Sequence, residues 1–110
     1  MKKYLLFFTL ILGITYAYAF DMNKGDVKKG KELYRQVCRS CHDGSKVKKV
    51  TPMHKTMAQW KRLFDNDMAK LKEKHPDNDM FKKISDTDFE HIYRFVQEGA
   101  LDSEQPQTCD

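Results

Sequence analysis

Two cysteines and a histidine stand together in the segment Cys38-Arg39-Ser40-Cys41-His42. A cysteine sulfur can form a thioether bond to a haem vinyl group, and two intervening residues let one turn of chain reach both vinyl groups. The residue that follows is then placed to offer its imidazole to the iron. C-x-x-C-H is the attachment signature of c-type haem. We therefore predict one covalently bound haem c, attached to Cys38 and Cys41, with His42 as the proximal iron ligand.

Two other chemistries use paired cysteines. A redox-active disulfide between Cys38 and Cys41 is typical of a βαβ context, which the sequence around this motif does not show. A zinc site needs two further ligands at paired spacing, whereas the other histidines and Cys109 are scattered along the chain. The sequence also shows no nucleophile motif, phosphate-binding loop or paired carboxylate site. We therefore expect an electron carrier and not an enzyme.

A low-spin, electron-carrying haem needs a second strong iron ligand, usually methionine or histidine. Met57 and Met68 fall on the apolar stripe of a predicted helix, where methionine serves as a core residue. His75 and Met80 follow His42 by 33 and 38 residues and border the loop before the last predicted helix. We take Met80 as the leading candidate for the sixth ligand and His75 as the alternative. An open sixth site is the remaining option.

The first residues have the layout of an export signal. Two lysines precede an apolar run over residues 4–14, and Ala17 and Ala19 give the small residues that signal peptidase needs. We predict a cleaved signal peptide over residues 1–19 and a haem domain over residues 20–110. The apolar run is short for a membrane span of about 20 residues. We therefore expect a periplasmic protein without a membrane span after cleavage.

Charge is distributed unevenly along the chain. The formal net charge is +4, and removal of the two lysines of the signal would leave +2. Residues 24–55 carry ten basic and three acidic side chains, whereas residues 84–110 carry seven acidic side chains and a single base, Arg94. This balance gives no indication of nucleic acid binding. A protein polarised in this way can be steered towards redox partner proteins of matching potential, either periplasmic or membrane-associated.

Three segments show the spacing of apolar residues that is typical of amphipathic helices. The first spans about residues 27–39 with Asp26 as N-cap. The second starts near Met57 and stops before Pro76, with a break expected at residues 65–67. The third follows Ser85 or Asp86 and stops at Gly99. No segment shows sustained two-residue alternation, so we predict an all-α domain. Residues 43–55 and 76–83 are predicted as long loops, which a haem would organise.

The stretch from Gly30 to Tyr34, leading into the cysteine motif, resembles the opening of class I c-type cytochromes. The stretch from Ile84 to Val96 resembles the last helix of that family, and Trp60 with the helix after it is similar to the middle of its short bacterial members. The resemblance implies a small helical domain of the cytochrome c type, wrapped around one covalent haem. It also implies that a first helix bearing a glycine crosses a last helix bearing aromatic residues.

These observations predict a periplasmic electron-transfer protein. Two alternatives remain: a haem-based sensor with an open sixth site, and an accessory haem subunit of a respiratory complex. Cys109 is left without an assigned role, because the other two cysteines are used by the haem. In an oxidising compartment it could link two molecules into a disulfide-bonded dimer or stay an unused thiol.

Overall fold

The computed structural model describes residues 24–76 and 79–108. These residues form helices α1 (Val27–Val37), α2 (Met57–Lys74), α3 (Asp79–Lys83) and α4 (Asp86–Glu98), with a 3-10 helix at Pro52–His54 before α2. The described part of the chain contains no strand, so the all-α prediction is confirmed. No helix in it is both long enough and apolar enough to cross a membrane. The predicted signal peptide lies outside the described residues.

The predicted helix caps are present. The Asp26 carboxylate accepts a hydrogen bond from the Lys29 backbone N–H at 3.0 Å, and this bond holds the pKa of Asp26 below its ordinary value. The Ser85 hydroxyl accepts from the Asp88 N–H at 3.1 Å, and α4 ends at Gly99 as expected. α1 ends two residues earlier than the prediction, at Val37, because the chain tightens there into the turn of the cysteine motif.

Helix α2 is interrupted where the sequence Asp65-Asn66-Asp67 predicts a break. Asp65 is extended, and the next three residues have left-handed backbone angles, with φ between 54° and 59°. Asparagine and aspartate adopt this region more readily than other residues that carry a β-carbon. Met68, which follows, is only 1% exposed, so burial of its side chain offsets the cost of its left-handed conformation. Met68 belongs to the core after this kink, and Leu71 packs against it.

Both predicted long loops contain helical structure, which corrects the interpretation of residues 43–55 and 76–83 as loops throughout. The 3-10 helix begins with Pro52, whose fixed φ suits a first helical position. α3 has only five residues, too few for a periodic apolar pattern to reveal it. Tertiary packing stabilises this short helix, because Phe81 stacks on His75 and lies 5.5 Å from the Phe89 ring.

The close crossing of α1 over α4 organises the domain. A β-carbon at Gly30 would collide with the His91 carbonyl oxygen and would lie 2.8 Å from the β-carbon of Phe95. Glycine therefore allows the two backbones to touch. One turn later the Tyr34 ring meets Phe95 edge-on, with centroids 5.5 Å apart. The helix pairing implied by the family resemblance is present in the structure.

The segment after α4 packs against the 3-10 helix and the start of α2. The Gln107 backbone N–H donates to the Gly99 carbonyl at 2.9 Å, and the Gln107 carbonyl accepts from the Met53 N–H at 3.1 Å. The Met57 N–H donates to the Asp102 carboxylate at 2.8 Å. Sequence analysis gave this tail no structural role. In the structure, its hydrogen bonds hold the chain before α2 in place.

We expect Gly30→Ala to lower the free energy of unfolding by about 1–3 kcal/mol, because the added methyl group forces the two helices apart. The measurement is denaturant unfolding of the haem-loaded protein followed by circular dichroism. Lys28→Ala is the matched control, since Lys28 is exposed on the same helix and its change is expected to stay within about 0.5 kcal/mol. Equal stability of the two variants would contradict the close crossing.

Candidate functional site

The cysteine motif continues the end of α1 as a helical turn. The backbone N–H groups of Cys38 and Arg39 both donate to the Tyr34 carbonyl at 2.9 Å, and the His42 N–H donates to the Cys38 carbonyl at 2.9 Å. The turn places Cys38, Cys41 and His42 on the wall of one cavity. Cys38 is half-buried and Cys41 is exposed, and both are thiols. The three residues that sequence analysis assigned to haem attachment therefore converge.

The His42 ring is held by a backbone carbonyl. Its Nδ1 lies 3.0 Å from the Lys48 carbonyl oxygen. A carbonyl can only accept a hydrogen bond, so Nδ1 carries a proton, and in the neutral ring the lone pair is then on Nε2. Metal-bound histidines commonly show this arrangement, because the carbonyl fixes the ring and makes the ligating nitrogen more basic. His42 is thus prepared to bind a metal through Nε2.

The loop that supplies this carbonyl is itself anchored. The Tyr34 hydroxyl donates to the Val50 carbonyl at 2.5 Å, and the Val50 N–H donates back to the His42 carbonyl at 3.3 Å. Near the start of the loop the Asp43 carboxylate accepts from the Ser45 hydroxyl at 2.6 Å and from its N–H at 2.8 Å. These two bonds hold the pKa of Asp43 below its ordinary value. The carboxylate therefore stays ionised and keeps the turn closed.

The cavity has a volume of about 280 Å³ and is lined mainly by apolar side chains. Its walls come from the end of α1, from α2 and from α4. Among the residues that line it are Trp60, Leu63, Phe64, Phe89, Ile92 and Val96. The Trp60 ring is anchored by a hydrogen bond from its Nε1 to the Pro52 carbonyl at 2.8 Å. An apolar cavity with imidazole and two thiols on its wall suits a large, flat, covalently attached cofactor.

His75 lines the same cavity, near His42. The two ring centroids are 6.0 Å apart, and the ring planes are inclined at 72°. Phe81 stacks against the other side of His75 at 4.8 Å, with an angle of 23° between the rings. The structure thus brings together four of the five residues that sequence analysis named for the site.

The segment over residues 25–96 matches the family model described as cytochrome c oxidase, cbb3-type, subunit III. The chain belongs to this family of c-type cytochromes. The match covers the helices that build the cavity, and it accounts for the covalent haem c that the cysteine motif predicts. No curated protein and no solved structure matches the chain significantly.

The donor set of this cytochrome fits haem c. Cys38 and Cys41 would hold the porphyrin through thioether bonds, and His42 would bind its iron. Lys55 and Lys74 also line the cavity, so positively charged side chains lie where the cofactor would be held. When bound, the haem supplies an iron that accepts and releases one electron. The chain's own contribution is to orient the imidazole and to keep water from most of the cofactor.

Two predicted residues, Met80 and Cys109, are not fully described by the structure. Met80 belongs to α3, but its side chain is not among those described, so its role as sixth ligand stays a prediction. Cys109 also lies outside the described residues, as does the dimer it could form. Among the described residues there is no group of three or more histidine, cysteine or acidic side chains that could hold a metal ion.

Sequence analysis missed two features of the site. The role of the Lys48 carbonyl cannot be found from side-chain identities, because a backbone group in a loop leaves no signal in the sequence. Phe81 packs against His75, yet in the sequence it stands isolated between Met80 and Lys82. An aromatic residue close in sequence to a candidate ligand was the only signal that could have indicated it.

We expect Tyr34→Phe to loosen the loop that orients His42. The variant leaves the Val50 carbonyl without its hydroxyl donor, which costs about 1 kcal/mol of unfolding free energy. Amide hydrogen exchange over residues 43–50 should speed up in the haem-loaded variant. Tyr93→Phe is the matched control, because it removes the same kind of hydroxyl from α4 and should leave exchange in the loop unchanged. Equal exchange in both variants would contradict the anchoring role.

Proposed function

We propose that the protein is a periplasmic electron carrier with one covalently bound haem c, exchanging electrons with periplasmic or membrane-associated redox proteins. The observation that carries this proposal is the turn formed by Cys38, Cys41 and His42 on the wall of an apolar cavity, with the His42 ring fixed by the Lys48 carbonyl. Family membership supports haem-based electron transfer in general. Export through a cleaved signal over residues 1–19 is the basis for placing the protein in the periplasm.

The architecture suits a carrier because the groups around the cofactor are held in place. His42 is restrained by a carbonyl, Trp60 by a hydrogen bond, and the cavity walls by packed helices. A site that changes little between the oxidised and reduced states exchanges electrons with a small reorganisation cost. Exposed Cys41 lies where the cavity wall meets solvent, so a partner can approach the cofactor edge.

A second candidate function is an accessory haem subunit of a respiratory complex. The description of the matching family, an oxidase subunit, favours this role. The two functions share the same site and differ in the lifetime of the partner complex. A carrier forms brief, weak encounters, whereas a subunit stays bound. Purification from membranes solubilised in mild detergent distinguishes them, because a subunit elutes with a large complex and a carrier elutes alone.

We expect the double substitution Cys38→Ala and Cys41→Ala to abolish covalent haem, because both thioether bonds are lost. The protein is produced with a haem-maturation system and examined by haem staining after denaturing electrophoresis. Ser40→Ala is the matched control: it changes the same turn without removing a thiol, and it should retain the haem. Haem that stays on the double variant would overturn the assignment.

Wild-type protein produced with the same haem-maturation system tests both export and the number of haems. Wild-type protein recovered from the periplasmic fraction should have the mass of residues 20–110 plus one haem. A mass that includes residues 1–19, or recovery only in the cytoplasm, would contradict the predicted signal peptide. A mass with no added haem would contradict the proposed function itself.

We expect oxidation of the reduced protein by a small anionic metal complex to slow several-fold as salt rises from 0.01 to 1 M. Over that range the screening length falls from about 30 Å to about 3 Å, which removes the attraction to Lys55 and Lys74. Lys74→Gln should reduce the salt dependence, whereas Lys70→Gln, an exposed lysine outside the cavity lining, should change it less. A rate that increases with salt would contradict a positive approach surface.

A further inference from the structure

His75, which lines the cavity with its ring centroid 6.0 Å from that of His42, has the properties of a metal ligand. We propose that His75 is the second protein ligand of the haem iron, so that the site holds iron between two imidazoles. The proposal rests on the proposed function, because it requires the haem bound by Cys38, Cys41 and His42. It selects His75, the alternative of the sequence analysis, over Met80.

The first observation is the tautomer of His75. Its Nδ1 lies 2.7 Å from the Leu71 carbonyl oxygen, one helical turn earlier in α2. The carbonyl only accepts, so Nδ1 carries a proton, and in the neutral ring the lone pair is then on Nε2. This is the state that His42 reaches through the Lys48 carbonyl. Two histidines on one cavity therefore each fix Nδ1 on a backbone carbonyl and leave Nε2 able to bind a metal.

The second observation is the distance between the rings. An imidazole nitrogen binds a metal at about 2.0 Å, and the ring centre lies about 1 Å beyond that nitrogen, so two imidazoles on one metal have centres about 6 Å apart. The His42 and His75 centroids are 6.0 Å apart. Direct aromatic contacts span a range that includes this value. The distance therefore supports the proposal together with the tautomers and does not carry it alone.

The third observation is how His75 is held. It caps the C-terminus of α2, where its backbone N–H donates to the Lys72 carbonyl at 3.1 Å. Phe81 stacks on its ring from α3 and restricts rotation of the side chain. The half-buried imidazole is thus clamped between a carbonyl and an aromatic ring while it faces an apolar cavity.

Two strong ligands make the iron six-coordinate and low-spin, which favours electron transfer over binding of a small molecule at the iron. Replacing methionine by histidine at the sixth position lowers the reduction potential relative to a methionine–histidine site. We therefore expect this protein to have a lower potential than family members with a methionine ligand. Its electron donor must be correspondingly reducing.

The test uses the full chain, produced with a haem-maturation system, and compares wild type with His75→Ala, His75→Met and Met80→Leu. Absorption spectra and electron paramagnetic resonance of the oxidised proteins report the ligands directly. We expect wild type to be low-spin without the far-red methionine–iron band. His75→Ala should become high-spin and recover a low-spin spectrum when imidazole is added, and Met80→Leu, the matched control, should keep the wild-type spectrum.

Wild-type spectra decide the question even if His75→Ala loses its fold. A methionine–iron band in wild type that disappears in Met80→Leu would overturn the proposal, and so would a high-spin wild-type protein. His75→Met should raise the midpoint potential, and an unchanged potential would also count against His75. Covalent haem on denaturing electrophoresis distinguishes failure of the His75 proposal from failure of the proposed function. Haem present with the wrong ligand refutes only His75, whereas haem absent refutes the proposed function as well.

Discussion

The contact of α1 with α4 at Gly30 is the constraint on which the rest of the structure depends. Because no β-carbon separates the helices there, the end of α1 packs against the apolar face of α4. The cysteine motif continues α1 without an intervening loop, so the same contact sets the position of Cys38, Cys41 and His42. Any change in the crossing would move the attachment turn relative to the cavity wall supplied by Phe89, which sits on α4.

Backbone carbonyls hold the imidazoles that face the cavity. The Lys48 carbonyl is fixed because the loop closes on itself between Asp43 and Ser45 and is tied to Tyr34 at Val50. The Leu71 carbonyl is fixed by the second half of α2. Because a backbone carbonyl sets the tautomer of each histidine, the side chains of Lys48 and Leu71 can change without altering that tautomer. The site thus depends on loop closure, through Asp43, Ser45 and Tyr34, and on the second half of α2.

Sequence alone predicts the attachment residues, the helices and the principal caps, because each has a local signal. The C-x-x-C-H spacing is specific, the apolar stripes have helical period, and Asp26 and Ser85 precede them as caps. The short helix α3 and the 3-10 helix have no comparable signal, since both depend on tertiary packing. The choice between Met80 and His75 also cannot be made from spacing, because it depends on how α3 and the end of α2 pack against the cavity.

The apolar stripes on α2 and α4 show why core and site could not be separated in the sequence. Trp60, Leu63, Phe64, Ile92 and Val96 are buried, as their periodicity predicts, yet each also lines the cavity. In a haem domain predicted to have about 90 residues, the same side chains must pack against one another and form the wall of the cavity. A residue on such a stripe is then both core and binding surface. Substitutions there are expected to change stability and cofactor environment together.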